Sequence, residues 1–340
     1  RPKHELEDYE QWTKMTRPGE GNDFYRMNGA GEMLVYSAAD YENFMEPRPD
    51  LLANMEKDLR DVTGLLVRNR WPFRMHATYD ESIGRFLDVF EEVNDTASFS
   101  GLRWFFDHAE TISDRNLERV RKLGGGIAIQ DRMAFQGEHF ISRYGEGAAE
   151  RSPPVARMIE MGIPVAGGTD ATRVASYNPW IALYWLATGR TVGGTQLYPS
   201  RNVLSRMEAL RLLTANGAMF SNEEDRKGSI EVGKLADLAV LSTDYFSVPE
   251  EEIRNIESVL TIVGGRVAYG AGEFAGLSPR EPPLSPRWSP VAAYGGYPAA
   301  TDSSVKPPLL ASTDRHWRSL PKDVLGIDLA RPAAFGFDCF

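Results

Sequence analysis

The sequence predicts an α/β protein in which a parallel sheet grows from repeated strand–helix units and a smaller β-rich region follows. Two patterns carry this prediction. Short apolar runs of strand length alternate with amphipathic stretches of helical spacing up to about residue 222. Past Asn222 the period shortens, and strand-like runs flank a Gly264-Gly265 turn. The composition fits, because 340 residues with 42% hydrophobic and 25% charged side chains can bury a substantial core.

The elements follow in order. Leu51, Leu52, Met55, Leu59, Val62 and Leu66 recur at helical spacing with charged residues between them, and the run from Trp71 to His76 has the length and apolarity of a buried strand. Ile83, Phe86, Leu87, Phe90 and Val93 return to helical spacing. The run from Leu102 to His108 reads as the next strand, Ser113 as the cap of a helix carrying Leu117, Val120 and Leu123, and Gly126–Gln130 as a third strand. A long connection leads to a short helical face of Val155, Met158, Ile159 and Met161. Then come a strand and turn ending in Gly167-Gly168-Thr169-Asp170. Ser205 and Glu208 form a capping box opening a helix through Leu210, Leu213 and Ala218. Leu238–Leu241 and Ser258–Val263 are strand-like, and Arg266 to Tyr269 closes a hairpin. Residues after 276 hold nearly half of the chain's 21 prolines and read as an extended, wrapping tail. The expected organisation is an irregular or early-barrel segment over 1–50, βα units over 51–222, a β-sandwich portion over 223–275 and the tail over 276–340.

Composition excludes several function classes. A net charge of −10, with no long basic run, argues against a nucleic-acid partner, since phosphate binding needs clustered Lys and Arg. The single cysteine, Cys339, allows neither an internal disulfide nor a cysteine metal cluster. The longest apolar stretch, around Trp180 to Ala187, is too short to span a bilayer, so a soluble, cytoplasmic protein without a membrane partner is expected. The chain opens on Arg1-Pro2-Lys3-His4-Glu5 without an initiator Met, which reads as a start in mid-protein.

His76, His108 and Asp170 occupy equivalent places at the C-terminal ends of predicted parallel strands. In a βα barrel these ends form the rim where chemistry is assembled. Two imidazoles and a carboxylate suit Zn²⁺ or a similar divalent ion. Taken singly, each has a plainer reading, as a structural histidine or a turn carboxylate. His4 and His316 have no such context and read as surface residues. Gln130, His139, Arg143 and Arg151, on or after the third strand and its long loop, are candidates for substrate contacts. Tyr177, Trp180 and Tyr184 are also available, although the helical spacing of Trp180 and Tyr184 favours a core role.

Several of these stretches together resemble the metal-dependent amidohydrolase superfamily, in particular its amidohydrolase-3 branch, which includes N-substituted formamide deformylases. They are His76-Ala77-Thr78-Tyr79-Asp80, Phe106-Asp107-His108-Ala109-Glu110, Gly167-Gly168-Thr169-Asp170-Ala171, the run Lys227-Gly228-Ser229-Ile230-Glu231-Val232-Gly233-Lys234-Leu235-Ala236-Asp237-Leu238 and the hairpin Thr261-Ile262-Val263-Gly264-Gly265-Arg266-Val267. The resemblance covers about residues 60–270. It implies a (β/α)8 TIM barrel with a small β-sandwich domain, and makes His76, His108 and Asp170 the metal ligands of its fifth, sixth and eighth strands. The implied cofactor is one or two divalent ions, with Zn²⁺ the expected metal.

The implied reaction is hydrolysis of a non-peptide, amide-type C–N bond in a small molecule by metal-activated water. Asp170 would serve as general acid and base, and His108 would stand beside the developing oxyanion. The family's first strand carries a His-x-His pair, and none occurs in this chain. The expectation is therefore a C-terminal portion whose first strands and missing ligands come from an upstream segment or a second chain, with a homo-oligomer also open to it. The bridging carboxylate or carbamylated lysine that the family carries on an earlier strand is unassigned; Glu32, in Gly29-Ala30-Gly31-Glu32, is a candidate for it, with a loop carboxylate the plainer reading. The alternative is a catalytically silent barrel subunit or scaffold without a complete metal site.

Overall fold

In the computed structural model the described residues are 4–280, apart from 24, 42–43, 45–49 and 172–173. The expected tail lies outside them from residue 281 onward, as do His316 and Cys339.

The chain begins with α1 (Glu5–Met15), which lies against α2 (Met55–Arg68). In α2 the residues at helical spacing, Met55, Leu59, Val62 and Leu66, are all buried. Then β1 (Phe73–Ala77), α3 (Asp80–Asn94), β2 (Trp104–His108), α4 (Asp114–Lys122) and β3 (Gly126–Gln130) alternate as expected. Ser113 caps α4 by accepting the Asn116 N–H. The connection after β3 departs from expectation, because it holds α5 (Arg132–Tyr144), α6 (Glu146–Ala149) and α7 (Val155–Glu160) where a loop and one short helical face were read. Gln136-Gly137-Glu138 resembles a turn in sequence. Gly137 is nevertheless helical, and its bare Cα lets Leu197 and Thr191 pack where a Cβ would come within 2.7 Å of both.

After β4 (Val165–Gly168) comes α8 (Pro179–Thr188), apolar nearly all round and so buried. It is started by Asn178, which accepts the Trp180 N–H, and ended by Gly189 in the left-handed region. Then follow α9 (Arg206–Leu213), with the expected Ser205–Glu208 capping box, and α10 (Ala215–Phe220).

β1 to β4 form one parallel sheet in chain order. In β1 and β2 every second side chain, Phe73, Met75, Trp104 and Phe106, turns to the helix layer. There Phe90 of α3 stacks on Phe106 at 5.7 Å and meets Trp104 edge-on at 5.2 Å. The intervening residues Arg74, Phe105, Asp107, Ala128 and Gln130 face an open cavity of about 630 Å³. Residues 29–32 extend the sheet beyond β1: Ala30 N–H donates to Pro72 O, Arg74 N–H to Ala30 O and His76 N–H to Glu32 O, all at 2.9–3.0 Å. The first fifty residues, expected to be an irregular or early-barrel segment, supply α1 and this edge segment.

The last strands, β5 (Leu238–Leu241), β6 (Ser258–Val263) and β7 (Arg266–Gly270), make an antiparallel sheet closed by the expected Gly264-Gly265 hairpin. Of the anticipated sandwich, the described residues contain this one three-stranded layer, with Val240, Val263 and Tyr269 exposed. No helix among the described residues is long and apolar enough to cross a membrane.

The aromatic cluster between sheet and α3 fixes the height of β1 and β2 and thus of the residues at their ends. Truncating its centre, Phe90→Ala, should cost about 3–5 kcal/mol. A urea-unfolding midpoint equal to that of the parent protein would show that the cluster does not carry this load.

Candidate active site

His76 and His108 reach the same point by different routes. His76 is the fourth residue of β1, and the strand's alternation turns its ring to the cavity side of the sheet. In register it stands opposite Asp107, not His108. Strict alternation would therefore send His108 towards the helices. It is turned back by a change in backbone: His108 has φ +78° and Ala109 φ +53°, and the Ala109 N–H folds back on Asp107 O at 3.2 Å as well as bonding Ala77 O at 2.8 Å. Such conformations are costly for residues with a Cβ and recur where function holds them. The result brings the two rings to 4.5 Å between centroids.

Glu32 completes the cluster. Its Oε1 lies 3.0 Å from His76 Nδ1 and 2.7 Å from His108 Nε2. One oxygen from Glu32 and one nitrogen from each ring lie within 4.8 Å of one another, the one such group of three among the described residues. Two glycines bring Glu32 there. A Cβ on Gly29 would collide with Pro72 O and one on Gly31 with Arg74 Cγ, so only bare backbone lets the segment lie against β1. Beneath the cluster Arg74 grips Asp107 through two hydrogen bonds of 2.6 and 2.7 Å.

The protonation states suit a cation. Burial alone would push the Glu32 carboxyl up, but hydrogen bonds from His108 and His76 outweigh it and hold the group well below the usual carboxylate range. His108 is pushed down to about 3, by burial first and then by His76, so its ring is neutral at pH 7 and can offer a lone pair on whichever nitrogen does not carry its one proton. An ionised carboxylate and two imidazoles, that of His108 held neutral, converging on one volume make a donor set that a Zn²⁺-like ion takes. The residues present fit such an ion.

The amidohydrolase family model matches residues 2–269. The chain belongs to that family, in its amidohydrolase-3 branch. Over 198 residues it is 30% identical to the N-substituted formamide deformylase of Arthrobacter pascens, a match covering 57% of this chain and 36% of that protein. It is 28% identical over 169 residues to the imidazolonepropionase of Thermoplasma acidophilum, covering 49% and 36%. The chain thus spans about a third of the length of these relatives. In fold it is similar to an uncharacterised metal-dependent hydrolase from Pyrococcus furiosus, with a TM-score of 0.51 and 22% identity over 68% of this chain and 47% of that one.

Within this family member the sequence-derived candidates separate. His76 and His108 meet. Asp170, half-buried just past β4 with φ +50°, lines the same cavity but lies outside the three-ligand group. Its carboxylate is 3.9 Å from the Arg132 guanidinium and its pKa is raised, by burial first and then by Glu32. Glu32, a candidate bridging ligand whose plainer reading in sequence is a loop carboxylate, joins the two histidines as the third member of the group. Its signal was the Gly-Ala-Gly spacing ahead of it, which marks a backbone packed against another strand. Gln130 lines the cavity and donates to Glu110 at 2.8 Å. His139 is exposed on α5, a helix and not a loop, and Arg143 and Arg151 are exposed as well; none of the three lines the cavity. Tyr184 is buried, as its spacing implied, whereas Tyr177 is exposed. His4 is on the surface beside Glu7.

Asp131, directly after β3, is a feature that sequence did not single out. It is wholly buried, both carboxylate oxygens lack hydrogen-bond partners, and its pKa is pushed up to about 8, by burial and secondarily by Asp170. The carboxyl binds its proton more tightly folded than unfolded, where the value is 3.8. Its contribution to stability is therefore full below the unfolded value and is lost as pH rises towards 8. Asp131→Asn should remove this slope, so that its thermal midpoint gains on the parent's between pH 5 and 8. Parallel curves would refute the assignment.

Proposed function

We propose that this chain is the catalytic C-terminal portion of a metal-dependent amidohydrolase that cleaves a non-peptide, amide-type C–N bond. The observation that carries the proposal is the single Glu32 oxygen drawn to two imidazole nitrogens at the strand ends. A divalent ion held by Glu32, His76 and His108, with Zn²⁺ the best fit to the donor set, would activate a water and polarise the scissile carbonyl.

Asp170 is suited to the proton transfers. Its raised pKa moves it towards neutrality, where a carboxyl can take a proton from the attacking water and return it to the leaving nitrogen. Water thereby adds to the carbonyl carbon, the C–N bond breaks, and an acid and an amine leave. Such proton transfer is worth about 10²–10⁴ in rate. Arg132 keeps Asp170 from rising further. Gln130, on the cavity wall, is a candidate substrate contact. The deformylase among the relatives makes an N-substituted formamide the first substrate class to try.

A complete barrel and sandwich need more strands than the described residues contain. We assign these, together with further ligands, to a segment or second chain that joins β4 and the exposed layer of β5 to β7. The chain's coverage of about a third of its relatives supports this reading.

Two measurements test the proposal. Zn²⁺ titrated into the metal-free protein should bind with a stoichiometry that Glu32→Gln and His76→Ala each abolish; a parent protein that takes up no divalent ion would favour a silent scaffold instead. In the completed protein, Asp170→Asn should lower formamide turnover by about 10²-fold or more while leaving the fold intact. Parent rates in that variant would exclude Asp170 as the base.

A further inference from the structure

A buried carboxylate behind His76 has no part in the reading so far. Asp40 is wholly buried. Its Oδ2 accepts the backbone N–H of Thr78 at 3.0 Å and of Tyr79 at 3.1 Å, and its Oδ1 lies 3.2 Å from the Thr78 nitrogen. Tyr79 is the residue from which α3 starts, so the carboxylate sits at the positive end of that helix. The same Oδ1 is also 3.3 Å from His76 Nε2, on the opposite side of the ring from Nδ1 and Glu32. Among the described residues the Thr78 hydroxyl also lies near Nε2, at 3.4 Å, and can either donate or accept.

We propose that Asp40 is a positioning residue, which, once a metal ion replaces the proton between His76 and Glu32, holds the remaining His76 proton on Nε2 and leaves Nδ1 as the ligand atom. The proposal rests on the reading of Glu32, His76 and His108 as a metal cluster. An imidazole that ligates through one nitrogen must carry its proton on the other, and a partner there fixes both tautomer and ring plane. His76 is 1% exposed, so water cannot serve as that partner. Asp40 lies 36 residues before His76 in sequence and is anchored by backbone donors that belong to the turn immediately after His76. Ligand and partner are therefore tied to one piece of backbone, which leaves the ring little freedom to rotate. The Tyr41 ring, 5.1 Å away and inclined at 63°, closes the remaining side.

The proposal separates this role from mere anchoring of a turn, because the carboxylate offers two acceptor oxygens and an amide only one. In Asp40→Asn the amide oxygen can keep the two backbone N–H groups at the Oδ2 position, but its NH₂ then faces Nε2 and opposes a proton there. Zn²⁺ affinity, measured by chelator competition on the full chain, should fall about 10–100-fold, while the metal-free variant melts close to the parent. Nitrogen-15 histidine spectra of the zinc-loaded parent should show the His76 proton on Nε2 and the metal on Nδ1. Unchanged affinity in Asp40→Asn, or a His76 proton on Nδ1, overturns the proposal; the spectrum decides the matter even where the variant fails to fold. A parent that binds no Zn²⁺ defeats the metal cluster itself and this inference with it, whereas a parent that binds and a variant that binds equally well defeat only the role of Asp40.

Discussion

The central constraint on this molecule is the shared carboxylate oxygen between two buried rings. Glu32 is partly shielded from water, and burial by itself would favour its neutral form. The two imidazole nitrogens at 2.7 and 3.0 Å reverse that balance and keep it ionised. His108 is deprived of its proton by the same burial. The cluster thus keeps an ionised carboxylate beside a neutral imidazole, and a cation that enters takes the place of the ring protons that face Glu32.

Much of the surrounding architecture serves this arrangement. The aromatic packing of Phe90, Trp104 and Phe106 sets the level of β1 and β2, and the left-handed backbone at His108 turns a side chain that strand geometry would have sent to the helices. Gly29 and Gly31 let the segment carrying Glu32 press against β1 at the cost of side chains there. Arg74 and Asp107 occupy the level below, their charges satisfied by each other. Strain, glycine and the burial of the Asp107 carboxylate are each unfavourable in isolation, and all of them lie within the few residues around one cavity.

Asp170 differs in kind. It is placed by a turn at the end of β4, is half exposed to the cavity and stands apart from the three-ligand group. On the proposed reading a carboxylate that gives and takes protons keeps some freedom, and among the described residues the Arg132 guanidinium stands 3.9 Å from it. The fully buried Asp131 nearby has the opposite character, with no partner on either oxygen.

What the sequence by itself determined was everything that depends on local periodicity and on the chemistry of short motifs. That includes the alternation of strand and helix, the caps at Ser113 and Ser205, the Gly264-Gly265 hairpin, and the positions of His76, His108 and Asp170 at strand ends. Period and capping act over a few residues, so they can be read without knowing what lies across the fold. The tertiary structure alone decided the partnership of Glu32 with the two histidines, the inward turn of His108, the helix that carries His139 away from the cavity and the seat of Asp40 behind His76. Each of these follows from contacts between segments tens of residues apart or from a single backbone torsion. Neither leaves a periodic trace in the chain.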